Sequence, residues 1–93
     1  MNREAAKSLA VEALSFLAND FERVGRFLAL TGINPAEIRA VARDSGFLAA
    51  VLDHIASDES LLHAFAREAG RDPGEVAAAR TALAGRPWER DVP

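Results

Sequence analysis

Two stretches of this chain carry one phrase: GINPAEI, from Gly32 to Ile38, and GRDPGEV, from Gly70 to Val76. Each reads as the corner where one helix ends and the next begins. The glycine stops the helix before it, because it alone enters the left-handed conformation without steric cost. Asn34 and Asp72 are N-caps. Pro35 and Pro73 take the first helical position, where a missing N–H costs nothing. Glu37 and Glu75 stand three residues after the caps, the spacing of a capping box.

Helical patterning runs outward from both corners, and no stretch alternates as a strand does. A first helix from about Arg3 to Ala18 carries Ala6, Leu9, Ala13, Phe16 and Leu17 as its apolar stripe. Val11 and Leu14 widen that stripe, so this helix is expected to touch neighbours on two sides. Asn19 or Asp20 caps a second helix with Phe21, Val24, Phe27 and Leu28 inward, ending at Gly32. The third helix, with Ile38 and Val41, frays near Asp44. Ser45 is expected to cap a fourth, whose Phe47, Leu48, Val51, Leu52 and Ile55 form the richest apolar face and place it at the centre. Ser57 or Asp58 caps a fifth, with Leu61, Leu62, Phe65 and Ala69 inward and Gly70 as its stop. The sixth, with Val76, Ala79 and Leu83, is alanine-rich, and its apolar grip reads as weak.

The fold class that follows is all-α: a compact bundle of five or six short helices in one domain, residues 1–84, with a tail at 85–93. The chain has 93 residues, enough for one modest core. Sliding it by 38 residues aligns Leu14 with Leu52, Asp20 with Asp58, Phe27 with Phe65, Gly32 with Gly70, Pro35 with Pro73 and Glu37 with Glu75. Two readings stay open: a duplicated three-helix unit, or two convergent corners. Two units fall short of the roughly three that solenoids need, which favours a closed bundle.

Composition excludes several kinds of work. Cysteine is absent, so disulfides, thiolate nucleophiles and Cys-ligated metals are excluded. The net charge is −3 with both signs interspersed, which argues against a strong grip on phosphates. Lys7 is the one lysine among the eleven basic residues; the others are Arg. The N-terminal stretch has charges within its apolar pattern, unlike a signal peptide or a spanning segment, so a cytoplasmic protein without membrane contact is expected. The two histidines, His54 and His63, lack metal-ligand spacing; His63 reads as solvent-exposed, and His54 as held by a local hydrogen bond or the dipole at its helix end. Asp53, Asp58 and Glu59 make an acidic corner better explained by capping than by acid–base chemistry. No nucleophile motif or phosphate-binding glycine loop is found. The expectation is a protein that is no enzyme and that holds neither cofactor nor metal.

Candidate interaction residues remain. The pairs Arg23/Arg26, Arg39/Arg43 and Arg67/Arg71 lie at three- and four-residue spacing. They form either a docking rim or solvated faces paired with Glu22, Asp44 and Glu68. Trp88, the one Trp, either packs back over the sixth helix or anchors a partner. The leading expectation is a protein–protein interaction module that binds another protein or its own copy, with Trp88, Arg39, Arg43, Arg67 and Arg71 as candidate contacts. The alternative is a nucleic-acid-associated regulator. Ala66, Gly70 and Val76 have the spacing of a helix-turn-helix corner, and Leu28, Gly32 and Ile38 approach it. The would-be recognition helix offers Gly74, Ala77, Ala78 and Thr81 to base edges, which weakens that alternative.

The motifs GRFLALTG (25–32), a capped P-x-E-I-R start at Pro35 to Arg39, FLAAVLDHIASDESLLHAFA (47–66) and AG-x-x-P-x-E-V-x-x-A-R (69–80) carry a resemblance. From about Glu12 to Leu83 the chain resembles a small alphaproteobacterial family of unknown function, the DUF3572 proteins. The resemblance implies a short, helical, cytoplasmic protein. It supplies no catalytic residues.

Overall fold

The computed structural model describes residues 1–84. Six α-helices follow in order: α1 (Arg3–Ala18), α2 (Phe21–Thr31), α3 (Ile38–Val41), α4 (Ser45–Ala56), α5 (Glu59–Ala69) and α6 (Pro73–Ala84). A 3-10 turn, Pro35–Glu37, leads into α3. The described residues form an all-α bundle with no strand among them.

Three helices build the centre. α1, α4 and α6 pack on one another, while α2 and α5 pack on the outside. From α1 come Ala6, Leu9, Ala10, Ala13, Phe16 and Leu17; from α4, Phe47, Leu48, Val51, Leu52 and Ile55; from α6, Val76, Ala79 and Leu83. Phe27 and Phe65 reach in from α2 and α5. The aromatic rings meet edge to face: Phe16 with Phe65 at 5.5 Å, and Phe27 with Phe47 at 6.0 Å.

The expected grip of α6 was too weak. Val76, Ala79 and Leu83 are almost wholly buried, and Arg3 ties the helix end by donating to the Ala82 carbonyl and to Ser45 Oγ. Small side chains let α6 approach both neighbours closely, so alanine richness marks proximity here. Two further expectations fail on helix faces. Phe21 points to solvent at the first residue of α2, 94 % exposed. Ala69 is exposed at the end of α5, and Ala66 takes the buried place instead.

The caps settle the helix starts. Asp20 accepts from the N–H groups of Glu22 and Arg23, and Asp58 from that of Leu61, so the aspartates rather than Asn19 or Ser57 cap α2 and α5. Asp44, not Ser45, caps α4. Its backbone is extended, and its carboxylate accepts from Gly46 N at 2.7 Å and Phe47 N at 3.2 Å. A carboxylate there also suits the positive end of the helix dipole. Both corner glycines are left-handed, Gly32 at φ 74° and Gly70 at φ 67°. Asn34 accepts from Ala36 N and Asp72 from Gly74 N. The Glu75 carboxylate turns to Arg71 rather than back to the cap.

The matched corners open onto unlike helices. α3 lasts one turn and lays only the partly buried Ile38 and Val41 against the core, whereas α6 runs twelve residues and joins it. The offset that pairs Gly32 with Gly70 pairs Asp44 with Ala82. The aspartate restarts the chain as α4; the alanine lets α6 continue. The likeness is therefore in the turns, and a duplication of the whole unit is not established by it.

Candidate functional site

Three grooves mark the described surface among others, and α1 borders two of these. One lies between α1 and the α3–α4 junction, about 530 Å³ in volume, with apolar side chains on its floor. Val11, Leu14, Ala42 and Leu48 make its floor; Lys7, Arg43, Glu4 and Ser8 make its rim. It exists because α3 is too short to cover this flank of α1. Val11 is left 44 % exposed and Leu14 half-buried. Lys7 and Arg43 make no ion pair among the described residues.

A second groove of about 540 Å³ lies between α2 and the α4–α5 junction, lined by charges of both signs, among them Arg26, His54, Asp58 and Glu59. A third, about 300 Å³, runs between α1 and α5 over the Phe16 and Phe65 rings, with Glu12 and Glu68 on its edge. Among the described residues no polar or charged side chain is buried, and no three His, Cys, Asp or Glu side chains gather as a metal ion would need. No described helix is long and apolar enough to cross a membrane.

The candidate arginines are not one patch. Arg71 is bound up internally, forked onto Glu12 at 2.8 and 2.7 Å and donating to Glu75 at 3.0 Å. This bidentate pair ties the start of α6 to α1. The hydrogen bond from Arg71 holds the Glu12 carboxyl below its ordinary pKa, and the two carboxylates raise that of Arg71. Its partners are thus Glu12 and Glu75, where Glu68 was the expected one. Arg39 and Arg67 are exposed. Arg23 lies over the Phe16 ring, 4.4 Å from its centre. Trp88 lies outside the described residues.

The helix-turn-helix corner can also be placed. Val76 and Ala66 are buried, and α6 shows solvent Gly74, Ala77, Ala78 and Thr81. The two arginines that α6 and its turn offer are engaged, Arg71 with Glu12 and Arg80 with Asp53. Asp53 therefore serves an ion pair, and Asp58 serves as a cap. His63 is exposed, 3.9 Å from Glu59. His54 departs from expectation: its ring packs edge to face on Phe27 at 5.1 Å. Burial first, then the Arg26 charge, lowers its pKa, and Asp58 opposes them.

Residues 3–86 match the profile of a family described as "Protein of unknown function (DUF3572)". The chain belongs to that family. No curated protein and no solved structure matches it. Membership in DUF3572 carries no assigned activity.

Sequence reasoning misses Lys7, and it marks Val11 and Leu14 only as the excess width of the α1 stripe, not as contact residues. The signal for them was present, since Val11 and Leu14 overfill the stripe of α1. What sequence did not supply was the length of α3, which decides whether that excess is covered.

Proposed function

We propose that this DUF3572 member is a non-enzymatic protein-interaction module. Its docking surface is the groove between α1 and the α3–α4 junction. The observation that carries this reading is an apolar floor of Val11, Leu14 and Leu48 beside two basic side chains, Lys7 and Arg43, without ion partners among the described residues. Interfaces combine an apolar centre with a polar rim in this way. The chemistry suits a short apolar segment with acidic flanks. Arg43, a candidate from sequence, falls on this rim; Arg39 and Arg67 remain available as outlying contacts.

The test is affinity capture from the source cell with the intact chain, Val11→Glu, Arg43→Glu and, as a control, Ala78→Glu on the exposed face of α6. The reading expects one partner to be retained by wild type and Ala78→Glu and lost from both groove variants. A partner retained equally by all four chains contradicts it.

A further inference from the structure

We propose that the occupant of this groove is Phe21 of a second copy of the chain, exchanged reciprocally in a twofold dimer. The proposal rests on the groove reading above and names the segment that fills it. Phe16, Phe27, Phe47 and Phe65 are all buried; Phe21 alone stands in water, 94 % exposed. It is the one exposed aromatic among the described residues, and aromatic side chains are enriched at interfaces. It sits between Asp20 and Glu22. Asp20 is occupied as the cap of α2, while Glu22 is exposed and makes no ion pair among the described residues.

Knob and groove are complementary. The ring finds an apolar floor in Val11, Leu14 and Leu48, and Glu22 finds Lys7 and Arg43 on the rim. Glu4 also lines the groove and leaves it one positive charge in net. The two features lie apart in one copy. Val11 is seven residues before the end of α1 at Ala18, about 10 Å along the helix axis, and Phe21 lies beyond the following turn. An antiparallel approach of two α1 helices brings each knob toward the other copy's groove, the self-complementary arrangement of a twofold pair.

The contact is small. A buried aromatic side chain removes about 150–250 Å² from water, so two exchanged rings with their rims stay below the roughly 1,200 Å² of a stable interface. The dimer is therefore weak, with a dissociation constant on the order of 100 µM.

Sedimentation velocity on the full chain, from roughly 5 to 1,000 µM, tests this. Wild type rises with concentration from the mass of one copy toward two. Phe21→Ser, an exposed position, weakens association by at least about tenfold; Val11→Glu and Arg43→Glu do the same from the groove side. An equimolar mixture of Phe21→Ser and Val11→Glu associates again, through one intact knob and one intact groove. Circular dichroism confirms that each variant is folded. A wild type that stays monomeric throughout, or a Phe21→Ser variant that dimerises like wild type, overturns the proposal. If such a monomer still loses its captured partner through the groove variants, self-docking alone is refuted and the groove reading stands.

Discussion

Replacing Phe65 and Phe21 separately by Ala should give opposite results, although both are phenylalanines on the shorter, outer helices. Phe65 is 1 % exposed and meets Phe16 edge to face at 5.5 Å. Its removal strips a full ring from the core and leaves a cavity that the surrounding helices fill only in part. Such truncations cost about 3–5 kcal/mol. Set against a total stability of roughly 5–15 kcal/mol for a domain, that is a large share. For a chain of this size it corresponds to a melting point lower by roughly 15–30 °C. Phe21 is 94 % exposed, so its removal should stay within about 0.5 kcal/mol. Urea titration followed by far-ultraviolet circular dichroism, below the concentration at which copies associate, reads both values. A Phe65→Ala variant that loses less than about 1 kcal/mol, well under the cavity range, refutes the packing of α5 on α1. A Phe21→Ala variant that loses several refutes its outward placement.

Three further outcomes follow from the caps, the corner and the half-buried histidine. Asp44→Ala removes the bonds to Gly46 N and Phe47 N and should cost about 0.5–2 kcal/mol, with Asp44→Ser recovering most of it; equal loss in both variants would exclude the cap as the cause. Gly70→Ala meets no atom within 4 Å but must hold φ 67°, so thermal melts should report a purely conformational cost of about 1–2 kcal/mol; an unchanged melt contradicts the left-handed corner. His54 has its pKa lowered in the folded chain from an ordinary 6.5, chiefly by burial. The unfolded chain then binds the proton more readily, so the stability from His54 is complete above that ordinary value and fades as the pH falls through and below it. Denaturant titrations of His54→Gln should show a flatter pH dependence in that window; an unaltered slope contradicts the assignment.

The helical layout was legible in sequence because each signal for it is local. Gly32 and Gly70 stop their helices through backbone freedom, and Pro35 and Pro73 restart the chain through a fixed φ. Neither depends on distant residues. The stripe of α4 announced its central place, since five large apolar residues at helical spacing have nowhere else to go. The errors concern what a helix meets. α6 reads as weakly apolar because alanines count little by size, yet Ala79 is fully buried where α6 approaches the core. Phe21 sits on the same wheel as Val24 and Leu28, yet as the first residue of α2 it stays 94 % exposed while Val24 and Leu28 are half-buried.

The groove was half legible. Excess apolar width on α1 pointed to a second contact surface, and Arg43 was named for its spacing with Arg39. The joining of Val11, Leu14 and Leu48 with Lys7 and Arg43 depends on α3 ending after one turn, and that end is set by Asp44 starting α4. One carboxylate thus decides both a helix boundary and an open flank. Arg71 teaches the reverse: its expected solvated face is a bridge to Glu12, 59 residues away in the chain, a distance over which spacing rules are silent.

α6, despite its small side chains, is a full member of the core with α1 and α4, while α3 is not. Native-state hydrogen exchange tests it most directly, amide by amide. The amides of Ala79 and Leu83 should exchange as slowly as those of Leu52 and Ala13, by opening of the whole domain. Val41 should exchange rapidly through local opening of α3. Fast exchange along α6 together with slow exchange in α1 and α4 would contradict this packing, because α6 would then be a loosely held appendage of a smaller core.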